Sequence, residues 1–291
     1  MNFTKKNEKS GILFMIPALV AVGIFYLYPL LKTVYYSFVF TDARGKVVQF
    51  AGLENFIELL SDAQFYQTLR ITLKFAGITV ILSILISLFL AIICNEKLKG
   101  IPFFRTIFSS TMGVSVSAGS TIVLFMFHPS LGVINNLLAK IGILPINWLT
   151  DSSYALWAVI ISSVWMNIGF GFLVLTAGLQ NISSEIDESA EIDGTGYFDK
   201  LFRITLPLLG PSIFYLLITT TLKSFQSFGQ VDILTGGGPA NSTNLLVYSL
   251  FRTAFSEFRY DYASVKGLVL LGLIILIMTF KFKIERKVHY Q

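Results

Sequence analysis

The chain has 291 residues, of which 22 are Lys or Arg and 17 are Asp or Glu, for a formal net charge of +5. Only 13% of residues are charged and 54% are hydrophobic, with a mean hydropathy of +0.70. A soluble domain carries about 25% charged residues, so the composition excludes an ordinary cytosolic enzyme, a disordered chain and a nucleic-acid-binding protein.

A spanning helix needs roughly 20 apolar residues to cross a hydrocarbon layer about 30 Å thick. The first such stretch is Ser10 to Leu31, preceded by Lys5, Lys6 and Lys9. Its apolar core is too long for a cleaved signal peptide, and no small-x-small cleavage site follows. Pro17 and Pro29 are tolerable there, because neighbouring groups can satisfy the freed carbonyls. Residues 41–70 then carry Leu53, Phe56, Ile57, Leu59 and Leu60 beside Glu54, Glu58 and Asp62. That spacing predicts an amphipathic helix at the outer interface or packed over the bundle. The second stretch is Phe75 to Asn95. The third runs from Thr106, and its apolar part ends near His128-Pro129. A second amphipathic segment follows at Leu131–Ile141. The fourth stretch is Ser152 to Ser184, and the fifth is Ile204 to Leu222. The sixth, Gly267 to Phe280, is only 14 residues. It becomes long enough if its helix starts near Tyr262 and Lys266 snorkels to the interface. The expected fold is all-α, an integral membrane protein with six transmembrane helices near 11–32, 73–95, 106–128, 154–178, 204–224 and 262–282.

Six spans place both termini on one side of the bilayer. That side collects Lys5, Lys6, Lys9, Lys97, Lys99, Arg105, Lys200, Arg203, Lys281, Lys283, Arg286 and Lys287, which is 12 basic residues in about 60. The opposite side has the remaining 10 in about 110 residues. The denser side is expected to be cytoplasmic, with residues 1–10 and 284–291 as cytoplasmic termini. One cysteine, Cys94, excludes an internal disulfide or a CxxC site, and two histidines, His128 and His289, make a metal centre unexpected. No metal site is expected, and no Ser-His-Asp, paired-carboxylate or HExxH arrangement points to catalysis. Gly236–Gly238 lacks the lysine and hydroxyl of a phosphate loop.

The segment of most unusual composition is Glu185–Pro207, EIDESAEIDGTGYFDKLFRITLP. It is acidic first, broken by Gly194 and Gly196, then amphipathic through Phe198, Leu201, Phe202 and Ile204. Two short helices joined by a glycine turn are expected, lying along the cytoplasmic surface, with Ser183 or Ser184 as cap. Glu188-Ser189-Ala190, Asp193-Gly194-Thr195 and Ile204-Thr205-Leu206-Pro207 resemble the EAA loop of permease subunits of binding-protein-dependent ABC importers. Ser189 and Thr195 depart from that pattern, each standing where the family has alanine. A second resemblance, to sugar permeases of the maltose type, rests on Leu234-Thr235-Gly236-Gly237-Gly238-Pro239, Leu246-Val247-Tyr248 and Phe251-Arg252-Thr253-Ala254-Phe255. Gly52-Leu53-Glu54-Asn55-Phe56 and Asn147-Trp148-Leu149 carry it further, so that it covers roughly residues 11–283.

The resemblance implies a type I ABC importer permease fold over 11–283, with 179–207 as the coupling loop. It implies that Glu188, Ala190, Asp193, Gly194 and Pro207 dock on a cytoplasmic ATPase. It also implies the partners: a second homologous permease, two ATPase subunits that hold ATP and Mg, an extracellular sugar-binding protein and membrane lipid. No cofactor is expected in the chain itself. A bacterial cell membrane is the implied location and a carbohydrate the implied cargo. Sugars stack their C–H faces on aromatic rings and take polar partners for their hydroxyls. The fourth span offers Trp165, Asn167 and Phe170, and the end of the fifth offers Lys223, Ser224, Gln226, Ser227 and Gln230. By the maltose-type resemblance the sugar contacts fall at Met166, Asn167, Phe170, Ser224, Ser227 and Gly229. The same residues can also serve as helix-packing groups. An ion-coupled secondary transporter would place ionisable residues within its spans, and the second, fourth and fifth spans show none in their apolar centres. A membrane scaffold would explain the spans but not the glycine-turn segment.

Overall fold

The computed structural model describes residues 14–96 and 99–288; the segment 1–10, the first residues of the first expected span, Lys97 and residues 289–291 lie outside the described residues. The described residues begin with helix α1 (Phe14–Ser37), followed by a hairpin of β1 (Val39–Thr41) and β2 (Val47–Phe50), then α2 (Glu54–Ser61). The long α3 (Ala63–Ile93) leads to α4 (Ile101–Ser110), a 3-10 turn at Thr111–Gly113, and α5 (Val116–Met126). Next come α6 (Val133–Lys140), α7 (Ser152–Gln180), α8 (Ser184–Ile192), α9 (Tyr197–Leu208) and α10 (Gly210–Phe225). The short α11 (Gly229–Leu234), α12 (Leu246–Phe255) and α13 (Tyr260–Val288) complete the chain.

Among the described residues four helices, α1, α3, α7 and α13, are long and apolar enough to cross a membrane unbroken. The third and fifth expected spans are bent pairs, and counting each pair as one gives six. The pair α4–α5 turns through 108° and the pair α9–α10 through 63°. The bends fall within the spans expected near 106–128 and 204–224. At the first bend, Val114 is extended and Ser115 restarts the helix by accepting a hydrogen bond from Ala118 N at 3.2 Å. At the second, Pro211 opens α10 with no N–H to offer the preceding turn.

Two helices widen by one residue just ahead of a proline. In α1 the Tyr28 N–H donates to Gly23 O, five residues back, and Pro29 follows. In α9 the Leu206 N–H donates to Leu201 O, and Pro207 follows. A proline ring crowds the carbonyl four residues earlier and cannot bond to it. The widened turn moves that carbonyl aside and keeps its neighbours bonded.

The chain divides into two compact units. One comprises Met1–Phe65 with Leu250–Gly272. Within it the buried Asn55 donates its Nδ2 to Ser37 O and Val39 O, at 3.1 and 3.0 Å, which ties α2 to the start of the hairpin. The Arg259 guanidinium grips Glu58 with both nitrogens, at 2.6 and 2.7 Å. Lys266 does not snorkel outward. It is 7% exposed, donates to Thr253 Oγ1 at 2.8 Å and lies 4.9 Å from the Tyr262 ring centroid, so the polar partner it needs is supplied inside the unit.

The other unit, Tyr66–Ser249 with Leu273–Gln291, is a helix bundle around α7. One apolar cluster gathers Phe75, Val123, Val159, Ile160 and Val231; a second gathers Ala91, Phe172, Leu175, Leu209 and Leu216. Lipid tails are as apolar as these side chains, so close packing at small residues must hold the helices together. Gly169 shows how tight it is: an added Cβ would stand 2.3 Å from Thr111 Oγ1 and 2.8 Å from Met112 N. The bend of α4–α5 is seated against that bare stretch of α7. Arg105 donates Nε and Nη2 to Cys94 O, at 3.0 and 2.7 Å, closing the carbonyl end of α3.

The Glu58–Arg259 pair makes a pH prediction for the first unit. The arginine hydrogen bond holds the Glu58 carboxyl below its ordinary value of 4.5, and Glu58 in turn holds Arg259 up. An unfolded chain takes up this proton at 4.5 while the folded one stays ionised. The contribution is therefore complete above 4.5 and is lost as pH falls through the folded value. Thermal unfolding of the purified protein should lose stability on acidification below 4.5, and Glu58→Gln should be less stable at neutral pH and flatten that acid limb. An unchanged acid limb in the variant would contradict the assignment.

Candidate functional site

Residues 184–208 form an elbow of two short helices. The α8 helix ends in a glycine C-cap: Gly194 has φ +68°, and the Thr195 N–H reaches back to Ala190 O at 2.9 Å. That six-to-one bond across a left-handed residue is the Schellman arrangement, which glycine adopts without a Cβ penalty. Asp193 N–H donates to Ser189 O at 3.0 Å. Ala190 is 4% exposed and faces inward, while Glu188, Asp193 and Gly194 are exposed. On α9, Asp199 and Arg203 pair at 3.2 Å on the surface. Pro207 follows the widened turn, and the chain then bends at the fully buried Leu209 into α10. Beside the elbow lies a cleft of about 600 Å3, lined by Asn95, Glu96, Leu179, Glu188, Tyr197 and Lys200 among others. The structure thus places Glu188, Ala190, Asp193 and Gly194 over the last two turns of α8 and its cap, and Pro207 just before the bend into α10.

The second candidate region is where α7, α10 and α11 meet. A Cβ on Gly119 of α5 would stand 2.3 Å from Met166 Cε, and one on Gly229 would stand 2.8 Å from Val116 Cγ1. The Gln230 amide nitrogen lies 3.7 Å from Met166 Sδ. Met166 and Gly229 are therefore packing positions of a tight junction. Ser224 and Ser227 are 1% and 7% exposed. Their hydroxyls donate back along the chain, Ser224 to Thr220 O at 2.8 Å and Ser227 to Lys223 O at 3.2 Å. Asn167 and Phe170, one helical turn apart on α7, are only half-buried, and Asn167 makes no side-chain hydrogen bond among the described residues. Of the six expected contacts, these two stand open.

Lys223 belongs beside them, although the sequence places it at the outer end of the fifth span. Its Nζ lies 4.2 Å from the Phe170 ring centroid. Lys223 stands near the end of α10, which has only 16 residues and stops at Phe225, and its side chain is exposed. The sequence signal was the lysine's place among polar and aromatic residues.

The loops on the expected outer side are stitched by single polar side chains. Asn135 donates to Pro129 O and Ile146 O and accepts from Ile146 N and Trp148 Nε1, all within 3.1 Å. Thr243 Oγ1 donates to Gly238 O at 2.8 Å across the Gly236–Gly238 turn.

The chain matches the family described as "Binding-protein-dependent transport system inner membrane component" over residues 10–290. It is 33% identical over 281 residues to the sn-glycerol-3-phosphate transport system permease protein UgpA of Yersinia pestis, covering 96% of this chain and 95% of that one. The protein of the same name from Brucella suis is 32% identical over 291 residues, with 99% and 98% covered. Among solved structures, a chain of a bacterial ABC transporter involved in the import of the acidic polysaccharide alginate superposes with a TM-score of 0.86 at 23% identity. The match covers 99% of this chain and 100% of that one. A chain of an amino acid ABC transporter gives a TM-score of 0.53 at 14% identity, covering 83% and 100%.

The Gly194 cap is testable directly. An added Cβ would touch nothing within 4 Å, so a side chain there costs only backbone strain, about 1–2 kcal/mol. Hydrogen exchange at Thr195 should quicken about tenfold in Gly194→Val and change little in Gly194→Asn, since asparagine tolerates this conformation. Equal exchange in the valine variant would show that no such cap exists.

Proposed function

The chain belongs to the family of binding-protein-dependent transport system inner membrane components, and from that premise we propose that it is one permease subunit of an ATP-driven carbohydrate importer. In this reading it forms half of a translocation pathway with a second homologous permease. Two ATPase subunits on the cytoplasmic side hold ATP and Mg, and an extracellular binding protein delivers the cargo. The chain itself performs no catalysis. Both termini and the elbow at residues 184–208 face the cytoplasm of a bacterial cell. The relatives named for sn-glycerol-3-phosphate and the neighbour named for alginate support a hydroxyl-rich cargo of the carbohydrate type.

The observation that carries the proposal is the capped elbow joined without a break in the chain to a bent span. Glu188 and Asp193 present charge to a docking groove. Ala190 keeps α8 seated, because a larger side chain would lift it. Gly194 lets the chain reverse, and the widened turn before Pro207 hands the motion to α10. When the ATPases close on nucleotide they press on this elbow. The bundle then rocks as a rigid body between inward- and outward-open states. Asn167 and Phe170 line the path, the ring for a sugar's C–H face and the amide for its hydroxyls.

Reconstitution with the partner subunits tests this. Glu188→Lys should abolish ATP-driven uptake while membrane insertion and abundance stay normal. Uptake that persists at the normal rate without ATP would overturn the proposal. Asn167→Ala should raise the apparent KM several-fold, whereas Ser227→Ala should leave it unchanged, because that hydroxyl is committed to Lys223 O. The opposite ranking would remove Asn167 from the path.

A further inference from the structure

We propose that Lys281 is a positioning residue of the transport cycle: it ties α13 to α10, so that the last span moves as one body with the span that the elbow drives. The proposal rests on the importer reading above and adds to it a route for the motion. Lys281 Nζ donates to Leu217 O at 3.0 Å and to Thr221 Oγ1. Thr221 Oγ1 itself donates to Leu217 O at 2.6 Å. A hydroxyl has a single proton to give and lone pairs with which to accept, so ammonium, hydroxyl and carbonyl close a ring of hydrogen bonds. Beside it the Phe214 and Phe282 rings meet edge to face, with centroids 5.7 Å apart and planes at 67°. Phe214, Leu217 and Thr221 are spaced i, i+3, i+7 and share one face of α10, and Lys281 and Phe282 are neighbours on α13.

Satisfying the charge does not by itself require this contact. Lys281 stands seven residues before the end of α13 (Tyr260–Val288), about 10 Å along the axis, where a four-carbon stem can carry an ammonium to water. Lys283, two positions on, is exposed. Lys281 is instead half-buried and reaches Leu217, seven residues into α10 (Gly210–Phe225), where Thr221 is 3% exposed. Side chains on a helix lean toward its N-terminus, which on α13 directs Lys281 along the span and away from the basic end of the chain. Sliding α10 past α13 by one turn, about 5.4 Å, would strip the ammonium of both acceptors among apolar neighbours. Hydrogen bonds from an ionised donor are about twice as strong as neutral ones, and an unpaired ionisable group within a span is costly. The two helices are therefore held in one register. Motion that the elbow delivers through α9 to α10 passes to α13 at this point.

The complete complex is reconstituted with its binding protein in proteoliposomes, in a Cys94→Ser background that carries Phe214→Cys and Phe282→Cys. A short bifunctional thiol reagent then fixes α10 to α13. Linking should leave ATP-driven uptake within about twofold of the unlinked complex, because the helices already move together. Uptake abolished by the link, with ATP hydrolysis still stimulated by the loaded binding protein, would overturn the proposal and leave the importer reading standing. Lys281→Met, Lys281→Arg and Thr221→Val are then compared with the parent. Lys281→Met should lower the cargo carried per ATP hydrolysed about tenfold. Lys281→Arg should retain most of that ratio, and Thr221→Val, which keeps Leu217 O, should fall between. The thiol link should restore the ratio in Lys281→Met. A ratio within about twofold of the parent in Lys281→Met, or a deficit there that the link does not repair, would overturn the proposal. The linked complex decides the question even where Lys281→Met does not assemble. ATP-independent uptake in the parent would instead strike at the importer reading itself.

Discussion

Hydrocarbon offers no hydrogen bonds, so every peptide group within it must find its partner inside the protein. The helices satisfy that demand along their length, and the points where they cannot are the points that shape the molecule. Proline removes a donor. At Pro29 and Pro207 the chain answers by widening one turn, with Tyr28 N bonding to Gly23 O and Leu206 N to Leu201 O. At Pro211 and at Val114 it answers by bending. Where α3 ends, Arg105 supplies the donors that water or a further turn would otherwise supply to Cys94 O.

The same accounting separates packing residues from open ones. Ser224 and Ser227 return their hydroxyls to carbonyls one turn back and are closed. Met166 and Gly229 fill a junction in which a single added carbon would collide. Asn167, half-buried on α7, makes no side-chain hydrogen bond among the described residues. In a span, unfilled polar capacity is costly, and it persists where water or a ligand completes it. The elbow follows a different rule. It lies where water can satisfy its charges, so its shape is set by the left-handed glycine and the buried alanine, with little call on deep packing.

The existence of six apolar stretches, the two amphipathic loop segments and the glycine-turn elbow were all legible in the sequence, because each rests on composition or short spacing. The short helix Glu54–Ser61 sits inside the expected amphipathic stretch, and Val133–Lys140 inside the second. Three things were not legible. The strands Val39–Thr41 and Val47–Phe50 are too short and too polar on one side to show a period of two. The breaks in the third and fifth spans fall at Thr111–Gly113 and Leu209, inside stretches free of Asp, Glu, Lys and Arg, so charge-free length could not reveal them. Lys266 looked like a snorkelling residue because its partner, Thr253, lies 13 positions away on another helix. The substrate path was half legible: residue types pointed to α7 and the end of α10, but only hydrogen-bond partners distinguish Asn167 from Ser227.

The central claim is that force enters this bundle through the elbow, applied by a separate nucleotide-hydrolysing protein on the cytoplasmic side. It is tested most directly by thiol crosslinking. In a Cys94→Ser background, a Thr195→Cys substitution puts one thiol beside Gly194, and a short bifunctional reagent is applied to membranes containing the assembled transporter. The account predicts a crosslink to the ATPase subunit whose yield changes when ATP is trapped, and protection from an impermeant thiol reagent added outside intact cells. Labelling of that thiol from the outside, or a crosslink yield that ignores both the ATPase and its nucleotide, would contradict it.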